Sequence, residues 1–335
     1  MTAHLHAPES TGKTSSVVSA GADEAAARRP DPPAPVPARR RRGTPGGAII
    51  SVTDRRRPLV RRSQAIVNAM LLVLLLVLGL GPLLWLVKAG ITPTQDTLRR
   101  PMALWPHGMA WSNLSTAWTT MDLGRSMANT VAIAAGSWLA QLVVAATGGY
   151  VLSILRPRYA SVLTGAVLAT LLVPAVVLLV PLYLTVLNPP LIHHSLINSF
   201  WALWLPSAAN AFNVLLVKRF FDGLPREIFE AAKVDGAAPF RLFWSIVIPL
   251  SRPILGVVSV FAVIAAWKDF LWPLLVLPDP AKQPLSVRLP ILAGSVDLGV
   301  LLAALLISTV APIVLFLLVQ RLFLRGAGLG GALKG

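Results

Sequence analysis

The chain has 335 residues and no cysteine. Disulfides, thiol nucleophiles and cysteine-ligated metals are therefore excluded. Charge is scarce as well: 13% of residues are charged, about half the usual share for a soluble domain. The acids are scarcest, with 14 Asp and Glu against 30 Lys and Arg. The formal net charge of +16 could point to nucleic acid, but 12 of the basic residues lie before Ser63, outside any apolar segment. Nucleic acid is therefore not an expected partner. No catalytic constellation is present. His193 and His194 are adjacent, yet no carboxylate or cysteine nearby completes a metal site.

What the chain has in abundance is apolar length. Hydrophobic residues make up 55% of it, and its mean hydropathy is +0.68. Together with the low charge this means an integral membrane protein. Residues 1–63 form the exception: they are rich in Ala, Pro, Arg, Gly and Ser, with too few large apolar residues to build a core, and are expected to be a disordered basic tail. The arginine runs there suit anionic membrane lipid. Gly12-Lys13-Thr14 lacks the glycine that a phosphate-binding loop needs five places earlier, where Ala7 stands. The remaining residues, 64–335, are expected to form one all-α membrane domain. A bilayer-spanning helix needs about 20 apolar residues. Six segments qualify, near 66–87, 126–155, 159–187, 196–217, 254–277 and 296–322; Pro174 and Pro181 interrupt the third and Pro312 lies in the sixth.

Basic residues set the orientation of such a bundle. With the tail in the cytoplasm, 23 of the 30 basic residues fall in inside segments, 6 in outside segments, and Lys268 lies within the fifth helix. Both termini are then cytoplasmic. The outer loop from Lys88 to Arg125 carries Trp105, Trp111 and Trp118, which suit either interfacial anchoring or contact with an external partner.

The one long polar-and-small interval in the hydrophobic part is residues 223–250. Pro225 suits the opening of a helix, Glu227 and Glu230 suit its early turns, and Gly236 suits the left-handed residue that ends it. Pro239 then opens a second short helix. Ala231, Ala232 and Lys233 present small side chains for close docking into a groove. An amphipathic helix lying at the membrane surface accounts for the same spacing.

Glu230-Ala231-Ala232, with Asp235-Gly236-Ala237 and then Phe243, Ile246, Pro249 and Pro253, resembles the EAA loop of ABC importer permeases. The resemblance extends over nearly everything after the tail. Arg125-Ser126-Met127-Ala128-Asn129-Thr130 resembles the start of that family's second helix, and Gly149-Tyr150-Val151-Leu152-Ser153 with Arg156 its cytoplasmic end. Pro174 with Pro181-Leu182-Tyr183 matches the third helix. Trp267-Lys268-Asp269-Phe270-Leu271-Trp272-Pro273-Leu274 resembles a fifth-helix signature of carbohydrate permeases, although many relatives have Asn where Lys268 stands. Gln320-Arg321-Leu322-Phe323 and the final Gly330–Gly335 stretch resemble the MalG-like carbohydrate branch.

This resemblance implies a six-helix type I ABC importer permease in a bacterial inner membrane. It implies a second homologous permease, two ABC ATPase subunits and an extracytoplasmic sugar-binding protein as partners. ATP and Mg belong to the partner ATPase, and this chain carries no cofactor and no catalytic role of its own. The resemblance assigns Glu230, Ala231, Ala232, Asp235 and Gly236 to ATPase coupling. Independently, Lys268 and Asp269 are charges in a membrane helix; such groups face a cavity or a partner, or else snorkel to an interface. Trp204, Asn210, Asn213 and Trp267 have the aromatic and amide chemistry that sugar recognition uses, and packing between helices uses the same residue types. Three other readings stay open: a permease for a non-sugar solute such as glycerol phosphate, a transporter driven by an ion gradient, and a membrane-embedded enzyme. A cluster of basic residues in the path would favour the first, and Lys268 is its only visible member.

Overall fold

The structure, a computed structural model, describes residues 58–190 and 192–332. The expected tail up to residue 57, including Gly12-Lys13-Thr14, and the last three residues lie outside the described residues. All described secondary structure is helical. The chain divides into two units, 1–67 and 68–335, and the candidate site lies wholly in the second.

Helix α1 (Pro58–Gly90) begins before the expected start near residue 66, with proline in its first turn, where the missing N–H costs nothing. Its apolar side chains over 66–80 are exposed, as suits a helix that is hydrophobic all round. The short helices α2 (Thr94–Arg99) and α3 (Ser112–Thr120) follow in the loop expected on the outer side. Asn113 on α3 donates to the Gly90 and Thr92 carbonyls at 3.3 and 3.1 Å. Helix α4 (Leu123–Tyr150) continues into a wider π turn over Val151–Leu155.

Two helices are long and apolar enough to cross a membrane alone, Arg62–Gly90 and Leu123–Leu155, or up to four segments if each of two bent pairs is one span. All six expected spans are occupied by helix, but three are not continuous. The third bends by 97° between α5 (Ala160–Thr170) and the stretch from Ala175 through α6 (Leu179–Leu187). Pro174, extended at ψ 128°, lacks the N–H that would carry the helix through. The fourth is two helices, α7 (Trp201–Ala208) and α8 (Ala211–Asp222), with Asn210 extended between them. Its side chain accepts from the Asn213 N–H at 3.0 Å, so Asn210 is the N-cap of α8.

Next come α9 (Arg226–Val234), α10 (Pro239–Leu242), a π turn over Phe243–Val247, α11 (Ile248–Leu250) and α12 (Arg252–Lys268). The chain bends by 78° on entering α12. The fifth expected span breaks at Asp269, extended at ψ 123°, before α13 (Leu271–Val276). Helix α14 (Leu285–Leu292) precedes the long α15 (Leu298–Ala332), which holds Pro312.

The buried side chains form three clusters. One joins Tyr150, Val217, Phe221, Phe229, Leu242 and Phe243 beneath the α9–α10 turn. A second gathers α3, α14 and α15 around Met121, Leu285 and Val300, and a third gathers Ile133, Leu203, Trp272 and Leu277. The Arg125–Thr130 motif acts between them. Asn129 donates to the Ala281 and Gln283 carbonyls at 2.9 and 3.2 Å, and the buried Thr130 hydroxyl accepts from the Leu285 N–H at 2.9 Å.

Candidate functional site

Two regions hold the residues singled out by sequence. The first is the α9–α10 turn. Pro225, extended at ψ 127°, is the N-cap of α9, so the helix proper starts one residue later, at Arg226. Glu227 lies in the first turn and Lys233 in the last, each favourable to the helix dipole. Gly236 sits at φ +77°, and its N–H donates to the Lys233 carbonyl while that of Ala237 donates to Ala232. These bonds close the helix on a residue that has no Cβ to clash in the left-handed region. Pro239 is the first residue of α10.

Phe229 and Ala232 lie three residues apart on one face and are both buried beneath the turn. Ala232, expected on the docking face, is therefore turned inward, because a helix that must bury Phe229 buries its i+3 neighbour too. The outward face carries Glu230, Ala231 and Asp235 with the exposed apolar residues Ile228, Val234 and Phe240. Val234 is 87% exposed and Phe240 75% exposed.

A group of charges supports this turn from below. Asp222, the last residue of α8, accepts from the Ser153 hydroxyl at 2.7 Å, from Lys218 Nζ at 2.8 Å and from an Arg156 guanidinium nitrogen at 3.1 Å. Burial alone pushes the Asp222 carboxyl up, but the hydrogen bonds from Lys218, Ser153 and Arg156 and the Lys218 charge outweigh it and hold it below its ordinary value. Close by, the Tyr150 hydroxyl donates to the Pro239 carbonyl at 2.8 Å. None of these contacts was visible in the sequence. The i,i+4 spacing of Lys218 and Asp222 was a local signal, but Ser153 and Arg156 lie more than sixty residues away along the chain.

The second region is a cleft of about 610 Å³ lined by Asn210, Phe212, Asn213, Phe261, Lys268 and Asp269 among others. Four of the six path candidates thus meet. Among the described residues no carboxylate pairs with Lys268. The carboxylate of Asp269 is turned toward the Trp272 backbone N–H at the start of α13. Asn213 is almost wholly buried, and its amide donates to Gln141 on α4 at 2.8 Å. Its role is therefore partly to hold α8 against α4.

Trp204 and Trp267 are not in this cleft. Trp204 packs between Trp201 and Phe200, with ring centroids 5.1 and 5.9 Å away. Its indole also covers Gly136, where a Cβ would come within 2.2 Å of the ring. Trp267 follows the roughly 100° turn between adjacent helical residues and faces an apolar cavity of about 680 Å³ with Trp118 and Trp138. Among the described residues no group of His, Asp and Glu is arranged to hold a metal, and His193 and His194 are exposed.

Residues 141–327 match the family described as binding-protein-dependent transport system inner membrane component. The chain is 29% identical over 267 residues to the diacetylchitobiose uptake system permease protein NgcG of Streptomyces coelicolor, covering 78% of this chain and 86% of that protein. It is 28% identical over 276 residues to the sn-glycerol-3-phosphate transport system permease protein UgpE of Pectobacterium atrosepticum, covering 79% and 96%. The fold superposes on a chain of the crystal structure of a bacterial ABC transporter that imports the acidic polysaccharide alginate. The TM-score is 0.68 at 23% identity, with 82% of this chain and 99% of that chain covered.

Proposed function

Because this chain belongs to the family of binding-protein-dependent transport system inner membrane components, we propose that it is the permease subunit of an ATP-driven sugar importer and that α9 and α10 couple it to a separate ATPase. The observation that carries the reading is the turn itself. A short helix closed by left-handed Gly236 presents Glu230, Ala231 and two strongly exposed apolar residues on a face left open among the described residues. Such a patch, rimmed by charge, marks a protein partner.

The mechanism follows from the connections. ATP closes the ATPase dimer, and its cleft carries α9 along. Helix α8 enters α9 through only Gly223, Leu224 and Pro225, so displacement of α9 reaches the cleft at Asn210 and Lys268. The membrane helices exchange inward- and outward-facing forms, and an extracytoplasmic binding protein delivers the sugar. A second homologous permease supplies the other half of the path. The turn and both termini face the cytoplasm, a placement that the distribution of basic residues favours. ATP and Mg act on the partner ATPase. The roles in coupling are Glu230, Ala231 and Asp235 at the docking face and Gly236 in the turn, with Ala232 seating α9 on the chain's own core.

A sugar is the preferred cargo because the relative from Streptomyces coelicolor is named for diacetylchitobiose uptake and the cleft is lined by two amide residues and two aromatic rings. A phosphorylated polyol is the second reading. It is favoured by Lys268, which lines the cleft and has no carboxylate partner among the described residues, and by the relative named for sn-glycerol-3-phosphate.

The test is purification of the natural protein and of Glu230→Arg in mild detergent, with identification of the chains that accompany each. An ATPase and a second permease should accompany the natural protein, and the ATPase should be lost from the variant. Retention of the ATPase by Glu230→Arg, or its absence from both, sinks the coupling assignment. Uptake of diacetylchitobiose against sn-glycerol-3-phosphate then separates the two cargo readings.

A further inference from the structure

Helices α4 and α8 are fastened to each other at three heights. At the cleft end, Gln141 accepts from the Asn213 amide at 2.8 Å. Midway, the two backbones approach so closely that a Cβ on Gly149 would lie 2.7 Å from Val217 Cγ1 and 3.1 Å from the Lys218 nitrogen. At the far end, Asp222 gathers Ser153, Arg156 and Lys218 at 2.7, 3.1 and 2.8 Å.

The backbone supports the weight of the third fastening. Arg156 lies at φ +45°, a left-handed conformation that is unfavourable for a residue with a Cβ. Such a residue persists where its surroundings over-determine it. Here the same side chain donates through Nε to the Ser153 carbonyl at 2.7 Å and through its terminal nitrogen to Asp222. The turn that ends α4 is thus folded back to reach the last residue of α8.

We propose that Asp222 is a positioning residue that makes α8 and the end of α4 one rigid lever, so that motion of α9 is carried to the cleft by both helices together. The proposal rests on the coupling reading of α9. Helix α8 has 12 residues, about 18 Å at the usual rise. With α9 at one end and Asn210 at the other, it spans from coupling face to cleft. A helix this short, flanked by the Ala209–Asn210 break and by Gly223, transmits a displacement only if its neighbour moves with it. Asp222 is suited to the task because it accepts both from α8, through Lys218, and from the turn that follows α4, through Ser153 and Arg156. Charge-assisted hydrogen bonds are about twice as strong as neutral ones, and Asp222 accepts three of them, from Ser153, Arg156 and Lys218. The group adjoins the docking face: Asp222 lines a small cleft with Phe229, Lys233 and Glu230, and of these only Glu230 belongs to that face.

The experiment uses the full complex in proteoliposomes, with its own binding protein purified together with the ligand it carries. ATP hydrolysis is measured with and without the binding protein. Asp222→Asn keeps the shape and removes the charge. It should retain the ATPase and its basal hydrolysis, and lose about tenfold of the hydrolysis stimulated by the binding protein, the fold-change equivalent to about 1.4 kcal/mol. Asp222→Glu should recover most of the stimulation. Because the chain has no cysteine of its own, Ser153→Cys/Asp222→Cys offers a second arm. Reduced, it should behave like Asp222→Asn; joined by a short thiol cross-linker, it should regain stimulation.

Full stimulation in Asp222→Asn overturns the proposal. So does a cysteine pair that does not cross-link, or one that remains unstimulated when joined. Failure of the coupling reading has its own signature, because in that case Glu230→Arg keeps its ATPase in the same preparation.

Discussion

Substitution of Gly236 separates two explanations of why the α9–α10 turn needs a glycine. A Cβ built on Gly236 meets nothing within 4 Å, so crowding inside the chain contributes no cost. What remains is the backbone at φ +77°. Alanine there costs about 1–2 kcal/mol, which lowers the population of the formed turn about 5–30-fold. Valine costs more, up to about 3 kcal/mol, because a β-branched residue in this region is a true outlier. Asparagine costs least, since its short polar side chain visits the left-handed region readily. The expected order of damage is therefore Asn, then Ala, then Val. The assay is retention of the ATPase on purification together with ATP hydrolysis stimulated by the binding protein. Gly236→Val should abolish both, and Gly236→Asn should stay close to the natural protein. Full activity in Gly236→Val would show that the left-handed turn is not required. If Gly236→Asn were as damaging as Gly236→Val, the glycine would be serving close approach by the partner instead of the turn.

Two further outcomes follow from the packing and the charges. Gly136→Ala places a methyl 2.2 Å from the Trp204 ring; overpacking of this kind costs about 1–3 kcal/mol, so the purified protein should melt several degrees lower, and an unchanged melting temperature would contradict the α4–α7 contact. Asp222 is held below its ordinary value of 3.8. A carboxyl lowered on folding stabilises above its unfolded value, and that contribution disappears as pH falls through the lower folded value. The difference in melting temperature between the natural protein and Asp222→Asn should thus stay constant from neutral pH to about 3.8 and close only in stronger acid. The charged hydrogen-bond partners of Asp222 are Lys218 and Arg156, and Arg226, Glu230 and Lys233 line the same small cleft. A gap that closes well above 3.8 would show that Asp222 is not held by these partners.

Much of this protein was written locally. Absent cysteine, scarce charge and long apolar stretches determine a helical membrane protein, because each depends only on composition and on how far an apolar run extends. The α9–α10 turn was equally legible, since Gly236, Pro239 and the early acids act on their own backbone and need no distant partner. The EAA-type spacing is a local pattern too, and it led to the family directly. Span continuity was less legible. Runs 196–217 and 254–277 satisfy a count of apolar residues, yet Asn210 and Asp269 stand extended in the structure: Asn210 caps α8, and the Asp269 carbonyl accepts from the Ser286 hydroxyl at 2.6 Å.

Only the tertiary structure decided which side each residue faces and which distant residues meet. Ala232 turned inward because Phe229 had to be buried. Trp204 and Trp267 left the cleft for Gly136 and for Trp118, while Asn210, Asn213, Lys268 and Asp269 came together across two helices. The gathering of Ser153, Arg156 and Lys218 on Asp222 is the clearest case. A hydrogen bond forms wherever two groups come within about 3 Å of each other, and no local pattern records that distance for residues far apart in the chain.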